Sequence, residues 1–190
     1  MSKQGAAAPD ADADLAQRAG HDRRAFAELY RRYLPQVYRY LLARTANVQD
    51  AQDLASQTFL TALEQIVTFR GDGTVAAWLL SVARHKLADH YRRRKPLLEL
   101  EAAMEVPDGA ALPEDQALQR WKLQRVGLAL QALAPDRAEA LALRIFGRLT
   151  VPEIAHIMDR SEAAVRMLVH RGLRDLQDRM APEMEEVDVE

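Results

Sequence analysis

Two stretches of this chain carry side chains whose types and spacing suit recognition chemistry. In the first, Thr150-Val151-Pro152-Glu153 reads as a capping box, with Pro152 in the first turn of a helix where no N–H partner is needed. Leu149 and Ile154 then fit a hydrophobic staple. Asp159-Arg160 makes a turn, Ser161 caps a second helix, and Val165, Leu168, Gly172 and Leu176 recur at i+3 and i+4. That period turns Glu162, Arg166, Met167, His170 and Arg174 outward. Two helices, a short turn and the small Ala155 at their crossing have the spacing of a helix–turn–helix. An arginine-bearing second helix can enter a major groove, Arg166 donating to guanine while Arg171 and Arg174 meet phosphates. From spacing alone, a helical hairpin with a solvated arginine face is the alternative.

The second stretch is a basic helix. Residues 84–95 hold six Lys/Arg against one acid, Asp89. On a helical wheel Leu80, Ala83, Leu87 and Tyr91 share one face and are expected in a core. The opposite face collects His85, Lys86, Asp89, Arg92 and Arg93, with Trp78 and Val82 at its upstream end. Such a face, preceded by Arg70-Gly71-Asp72-Gly73, suits DNA phosphates and an unstacked base. A buried Trp78 and arginines that merely complement a helix C-terminus fit the residues equally well.

Other chemistry is excluded or unsupported. There is no cysteine, hence no disulfide, thiol nucleophile or thiolate-bound metal. His85 and His90 are five apart and so off one helix face, while His156 and His170 stand alone, without carboxylates at ligand spacing. No metal, cofactor or enzymatic activity is expected. The N-terminus lacks the apolar segment of a signal peptide, and no run of apolar residues is long enough to cross a membrane, so the expected location is cytoplasmic.

The elements that must position these side chains are helices. The chain has 190 residues, of which 48% are hydrophobic and only 6% aromatic, with 8 Gly and 8 Pro, a balance that favours an all-α protein. Residues 1–14 read as a disordered lead. Apolar periods predict helices over 22–43, 48–69 and 74–94, forming a first module that spans 15–95. Residues 96–113 hold three prolines and an acidic excess and read as a flexible linker. The second module, 114–181, is expected to hold helices over 114–133, up to about Phe146, then 151–158 and 161–180. Residues 182–190 carry five acids and read as a solvating tail. The net charge of −2 therefore averages over segregated basic and acidic blocks.

Both modules together resemble the extracytoplasmic-function sigma factors of bacterial RNA polymerase. Residues 25–30 with Val37-Tyr38-Arg39-Tyr40 look like the opening helix of that family. Residues 50–60 are similar to its D-A-x-D-L-x-Q-E-T-F-L segment. Phe69-Arg70-Gly71, Ala77-Trp78-Leu79 and Ala83-Arg84 resemble its DNA-melting segments, and residues 149–155, 161–166 and His170-Arg171 its helix–turn–helix. Ser56-Gln57 departs from the usual Gln-Glu, Leu63 from a common Trp, His85 from a frequent Asn, and Asp159 from a turn Gly.

The resemblance implies two small helical domains and a specificity subunit of RNA polymerase that binds the core enzyme and promoter DNA. The polymerase-docking residues implied are Asp50, Asp53 and Gln57 as polar contacts, with Leu54 and Phe59 packing. Arg70, Trp78, His85, Lys86, Asp89, Arg92 and Arg93 are implied at the −10 element, the loop over 70–74 holding a flipped base. Ser161, Glu162, Arg166, Met167, His170, Arg171 and Arg174 are implied at the −35 element. The linker would thread the RNA-exit path, and an anti-sigma factor is the further partner implied. The competing reading is a free-standing helix–turn–helix regulator, which has no need of the 50–60 segment.

Overall fold

The computed structural model describes residues 9–69, 71, 73–94 and 114–187, and every described regular element is helical. The first module contains α1 (Pro9–Ala19), α2 (Arg23–Thr45), α3 (Val48–Gln65), a 3₁₀ turn at Ile66–Thr68, and α4 (Val75–Arg94). The second contains α5 (Glu114–Gln131), α6 (Pro135–Ile145), α7 (Val151–Met158) and α8 (Glu162–Val187). The expected linker, 96–113, lies outside the described residues.

Local signals account for most boundaries. The Asp22 side chain caps α2 by accepting from the Arg24 N–H at 2.8 Å, and Asn47 caps α3 by accepting from the Asp50 N–H at 3.0 Å. Between them, Ala46 takes a left-handed conformation (φ 51°) that ends α2. Pro135 starts α6, where its missing N–H costs nothing. Helix α2 runs through Pro35; the consecutive Tyr40, Leu41, Leu42 and Ala43 are buried all round its C-terminal end, and upstream Leu29 and Val37 bury one side of it. Against that side pack Leu54, Ala55 and Phe59 of α3 and Leu79, Leu80, Ala83 and Leu87 of α4.

Three expectations about the first module need correcting. Residues 9–14 are not a lead but belong to α1, where Asp12 accepts from the Tyr33 hydroxyl at 2.6 Å and pairs with Arg32. Its partners lie on the next helix, α2, out of reach of a local pattern. Tyr91 is not core: it is 38% exposed and donates its hydroxyl to the Arg44 carbonyl. Val82, expected on the basic face, is buried because α4 is covered on more than one side. At the other end of the chain α8 continues to Val187, so residues 182–187 extend a helix instead of starting a separate tail.

The modules do not stand apart. Helix α2 packs on α5 and α6, α4 packs on α7, and one hydrophobic cluster runs from Leu29 and Leu80 to Leu143, Ile154 and Val165. Gly147 lies at the closest approach: a Cβ there would meet the Leu143 carbonyl at 2.5 Å and the Leu80 side chain at 3.0 Å.

Candidate nucleic-acid interface

The helix–turn–helix is built as its sequence signals require. The Glu153 carboxylate returns to the start of α7, accepting from the Thr150 N–H at 2.7 Å and the Thr150 hydroxyl at 2.6 Å. It also accepts from Thr74 of the first module. Burial pushes this carboxyl up, but the hydrogen bonds from Thr150 and Thr74 outweigh it and hold the group below the ordinary carboxylate range. At the other end of α7, Asp159 is left-handed (φ 52°, ψ 54°) and the Arg160 N–H closes on the Ala155 carbonyl at 3.0 Å. Ser161 then caps α8, its hydroxyl accepting from the Ala164 N–H at 3.2 Å. Leu149, Ile154, Ala155 and Val165 are buried between the helices.

With both ends of the turn pinned, α8 presents one polar face. Ser161, Glu162, Arg166, Met167, His170, Arg171 and Arg174 are all exposed on it. Arg166 pairs with Glu162 one turn back at 2.6 Å, an exposed pair that is easily exchanged for another acceptor. The exposed side chains here are mostly polar, with Arg166, Arg171 and Arg174 cationic, Glu162 acidic, and Met167 and Leu173 apolar.

The basic helix divides its expected residues. His85, Arg92 and Arg93 are exposed, while Lys86 and Asp89 are half-buried. Asp89 pairs with Arg92 at 2.5 Å, and His85 Nδ1 sits 2.7 Å from the Ser81 carbonyl. Trp78 is half-buried at the foot of this face, its ring 5.5 Å from Phe69 and tilted by 52°. Gly71 (φ 79°) and Gly73 (φ 118°) take left-handed conformations that only glycine adopts freely, so the backbone reverses just before α4. Arg70 lies outside the described residues.

The α3 residues separate into a face and a core. Asp53 and Gln57 are exposed one turn apart, and Asp50 is half-buried, 3.6 Å from His90. Leu54 and Phe59 are only 2% and 3% exposed, and Phe59 meets Tyr30 edge-on at 4.7 Å. In this structure these two side chains pack inside the first module and hold the helix in place. The exposed row continues instead through Leu60 (62%) and Glu64, with Leu63 and Val67 beside it. Sequence reasoning missed Leu60, although it lies seven residues past Asp53 on one helical face. Among the described residues no three His, Asp or Glu side chains gather as metal ligands, and no helix is long and apolar enough to cross a membrane.

Comparison with known proteins follows the two modules. Residues 29–96 match the family Sigma-70 region 2, and residues 123–176 match Sigma-70, region 4. The chain is 35% identical to the ECF RNA polymerase sigma factor BldN of Streptomyces coelicolor over 80% of this chain and 59% of that protein. It is 30% identical to the RNA polymerase sigma factor YlaC of Bacillus subtilis over 86% of this chain and 96% of that one. Among solved structures, CnrH in complex with the cytosolic domain of CnrY matches at a TM-score of 0.67 and 26% identity, covering 91% of this chain and 99% of CnrH. The chain belongs to the ECF sigma factors of RNA polymerase, within the sigma-70 family.

Proposed function

We propose that this sigma factor, which directs promoter-specific initiation by RNA polymerase, divides that work between its modules without catalysing a reaction itself. The α8 face reads the −35 element: Arg166 donates to a base edge, Ser161, Glu162, Met167 and His170 line the groove, and Arg171 and Arg174 hold phosphates. The exposed side of α4, with His85, Lys86, Asp89, Arg92 and Arg93, lies on the −10 element, and Trp78 with the 70–74 loop faces the melted strand. Asp53, Gln57 and Leu60 on α3 dock on core polymerase, with Asp50 at the edge of that surface. The acidic linker follows the RNA-exit path.

The observation that carries this reading is the exposed polar face of α8 on a helix whose start is fixed by the Ser161 cap and the left-handed Asp159. The exposed α3 row favours a polymerase subunit over a free-standing regulator, which has no use for it. CnrH was solved with the cytosolic domain of CnrY, and RpoE of Bartonella quintana with the anti-sigma factor NepR. By analogy an inhibitory protein also binds this chain, and it works in the cytoplasm. Run-off transcription with core polymerase, followed by mapping of start sites, tests the reading. Discrete starts preceded by a shared pair of elements are expected. No initiation from any upstream fragment of its own genome would refute it.

A further inference from the structure

Three side chains of α4 fall on one line. Trp78, His85 and Arg92 follow one another at seven-residue intervals, two helical turns each, so they lie along a single edge of the helix about 10 Å apart. Their chemistry differs. Trp78 offers a ring to an unstacked base, and Arg92 offers a charge to phosphate, with Asp89 as its partner in the free chain at 2.5 Å. His85 is exposed between them, and the structure itself decides its hydrogen-bonding sense.

The imidazole Nδ1 of His85 lies 2.7 Å from the carbonyl oxygen of Ser81, one turn back on α4. A carbonyl oxygen only accepts, so Nδ1 carries the proton and donates. In a neutral imidazole one nitrogen donates and the other accepts, which leaves Nε2 with its lone pair. Turning the ring over would put a carbon against the Ser81 oxygen and forfeit the bond. The backbone of α4 therefore fixes the tautomer.

A lone pair has few partners on a base edge. In the major groove adenine presents its N6 amino group and cytosine its N4 amino group, whereas guanine presents O6 and N7 and thymine O4, all acceptors. An acceptor at Nε2 thus meets a donor on adenine or cytosine and another lone pair on guanine or thymine. We infer that His85 is a specificity-determining residue that selects an amino-bearing base, adenine or cytosine, at one position of the −10 element. That position lies about three base steps from the base at Trp78, from about 10 Å along α4 and about 3.4 Å per step. The inference rests on the −10 reading of α4 given above and names the base class which that reading left open.

Protonation reverses the sense. Histidine is the side chain whose charge changes between about pH 5 and 8, and once Nε2 holds a proton it donates, so guanine or thymine becomes the better partner. Among the described residues His85 forms no ion pair. The charged groups near it on α4 are Arg84, Lys86 and Asp89, the last paired with Arg92. On the elements around α4, Asp50 of α3 lies towards His90, Glu139 of α6 takes Arg84 and Arg44 of α2, and Arg18 of α1 pairs with Asp14. From α7, Glu153 is bonded by Thr150 and Thr74, and His156 is exposed.

The test uses holoenzyme assembled from core polymerase and the full chain. Promoter fragments that differ at a single base of the −10 element compete for it at about pH 8 and at about pH 6, with wild type, His85→Asn and His85→Phe. Each comparison sets two fragments against one another at one pH, so titrations elsewhere in the complex cancel. At pH 8 wild type is expected to favour adenine or cytosine over guanine and thymine at one position by about two- to tenfold, the worth of one hydrogen bond. At pH 6 that preference should fall by at least about twofold. His85→Phe should lose it, and His85→Asn, whose amide does not titrate in this range, should show no change with pH at that position. A preference for guanine or thymine at pH 8, a preference that does not change with pH, or base preferences identical in wild type and His85→Phe would each overturn the inference. The −10 reading would survive any of these as long as Arg92→Ala and Arg93→Ala weaken binding of the −10 element. If neither does, the −10 reading of α4 fails and the base assignment fails with it.

Discussion

The Glu153 carboxylate makes a pH-resolved prediction possible. It accepts from the Thr150 N–H, the Thr150 hydroxyl and Thr74, and it is partly exposed, so water already screens part of its interaction. Loss of a capping interaction of this kind costs about 0.5–2 kcal/mol, and we take about 1 kcal/mol for Glu153→Ala at pH 7. For a chain of this size that is a fall in Tm of about 2–4 °C. Glu153→Gln should cost less, since its amide oxygen still accepts from the Thr150 N–H. The folded carboxyl titrates below its usual range, so around that range the unfolded chain binds more protons. The carboxylate's contribution is therefore complete above about pH 4.3, the unfolded value, and disappears as pH falls through the lower folded value. Urea unfolding followed by circular dichroism, on wild type and Glu153→Gln at pH 7 and pH 3, isolates this group because other titrations are common to both chains. The difference between the two chains should shrink at pH 3. A difference that stays constant or widens on acidification would refute the assignment of the hydrogen bonds to the ionised form.

Other expectations follow from burial and exposure. Asp53→Ala, Gln57→Ala and Leu60→Ala should weaken core polymerase binding in a pull-down with Tm unchanged, whereas Leu54→Ala should cost about 2–5 kcal/mol of stability, because it leaves a cavity in the first module. Equal loss of polymerase binding and stability in all four would show that the exposed row has no docking role. Arg166→Ala should cost about 1–3 kcal/mol on the preferred −35 duplex and relax specificity, while Arg171→Ala should weaken all sequences alike and reduce the salt slope by about 1. Fluorescence anisotropy at several salt concentrations separates the two. Asp159→Gly should raise Tm, since glycine takes φ 52° without the left-handed strain that an L side chain carries.

Sequence reasoning worked where structure is decided within a few residues. The Thr150–Glu153 box, the turn at Asp159 and the Ser161 cap are local chemistry, and α7 and α8 start and stop beside them. It failed where a partner comes from elsewhere in the chain. Nothing near Asp12 announces Tyr33 and Arg32, so α1 looked like a polar lead. The heptad-like row Leu80, Ala83, Leu87 continued correctly to every position except Tyr91, where α4 passes the end of α2 and the side chain is partly exposed, its hydroxyl donating to the Arg44 carbonyl. Leu54 and Phe59, expected to pack in the docking segment, are buried beneath its exposed row. Counting by 3.6 from Asp53 puts both on the inner side and brings Leu60 outward.

The contact between the two modules was the least legible feature. A glutamate in the middle of an amphipathic helix such as α6 reads as a solvated position, because burial of a charge is not visible until the other module supplies Tyr40, Arg44 and Arg84. Apolar positions cross the same boundary: Ala43 of α2 is buried with Leu130, Leu133 and Leu141 of the second module, and Leu80 of α4 shares a cluster with Leu143 and Ile154. Removing the Glu139 carboxylate would leave Tyr40, Arg44 and Arg84 without that acceptor, and removing Leu143 would open a cavity in the cluster that both modules share. The two modules thus share an apolar core as well as a polar centre, and neither kind of contact is announced by the residues of one module alone.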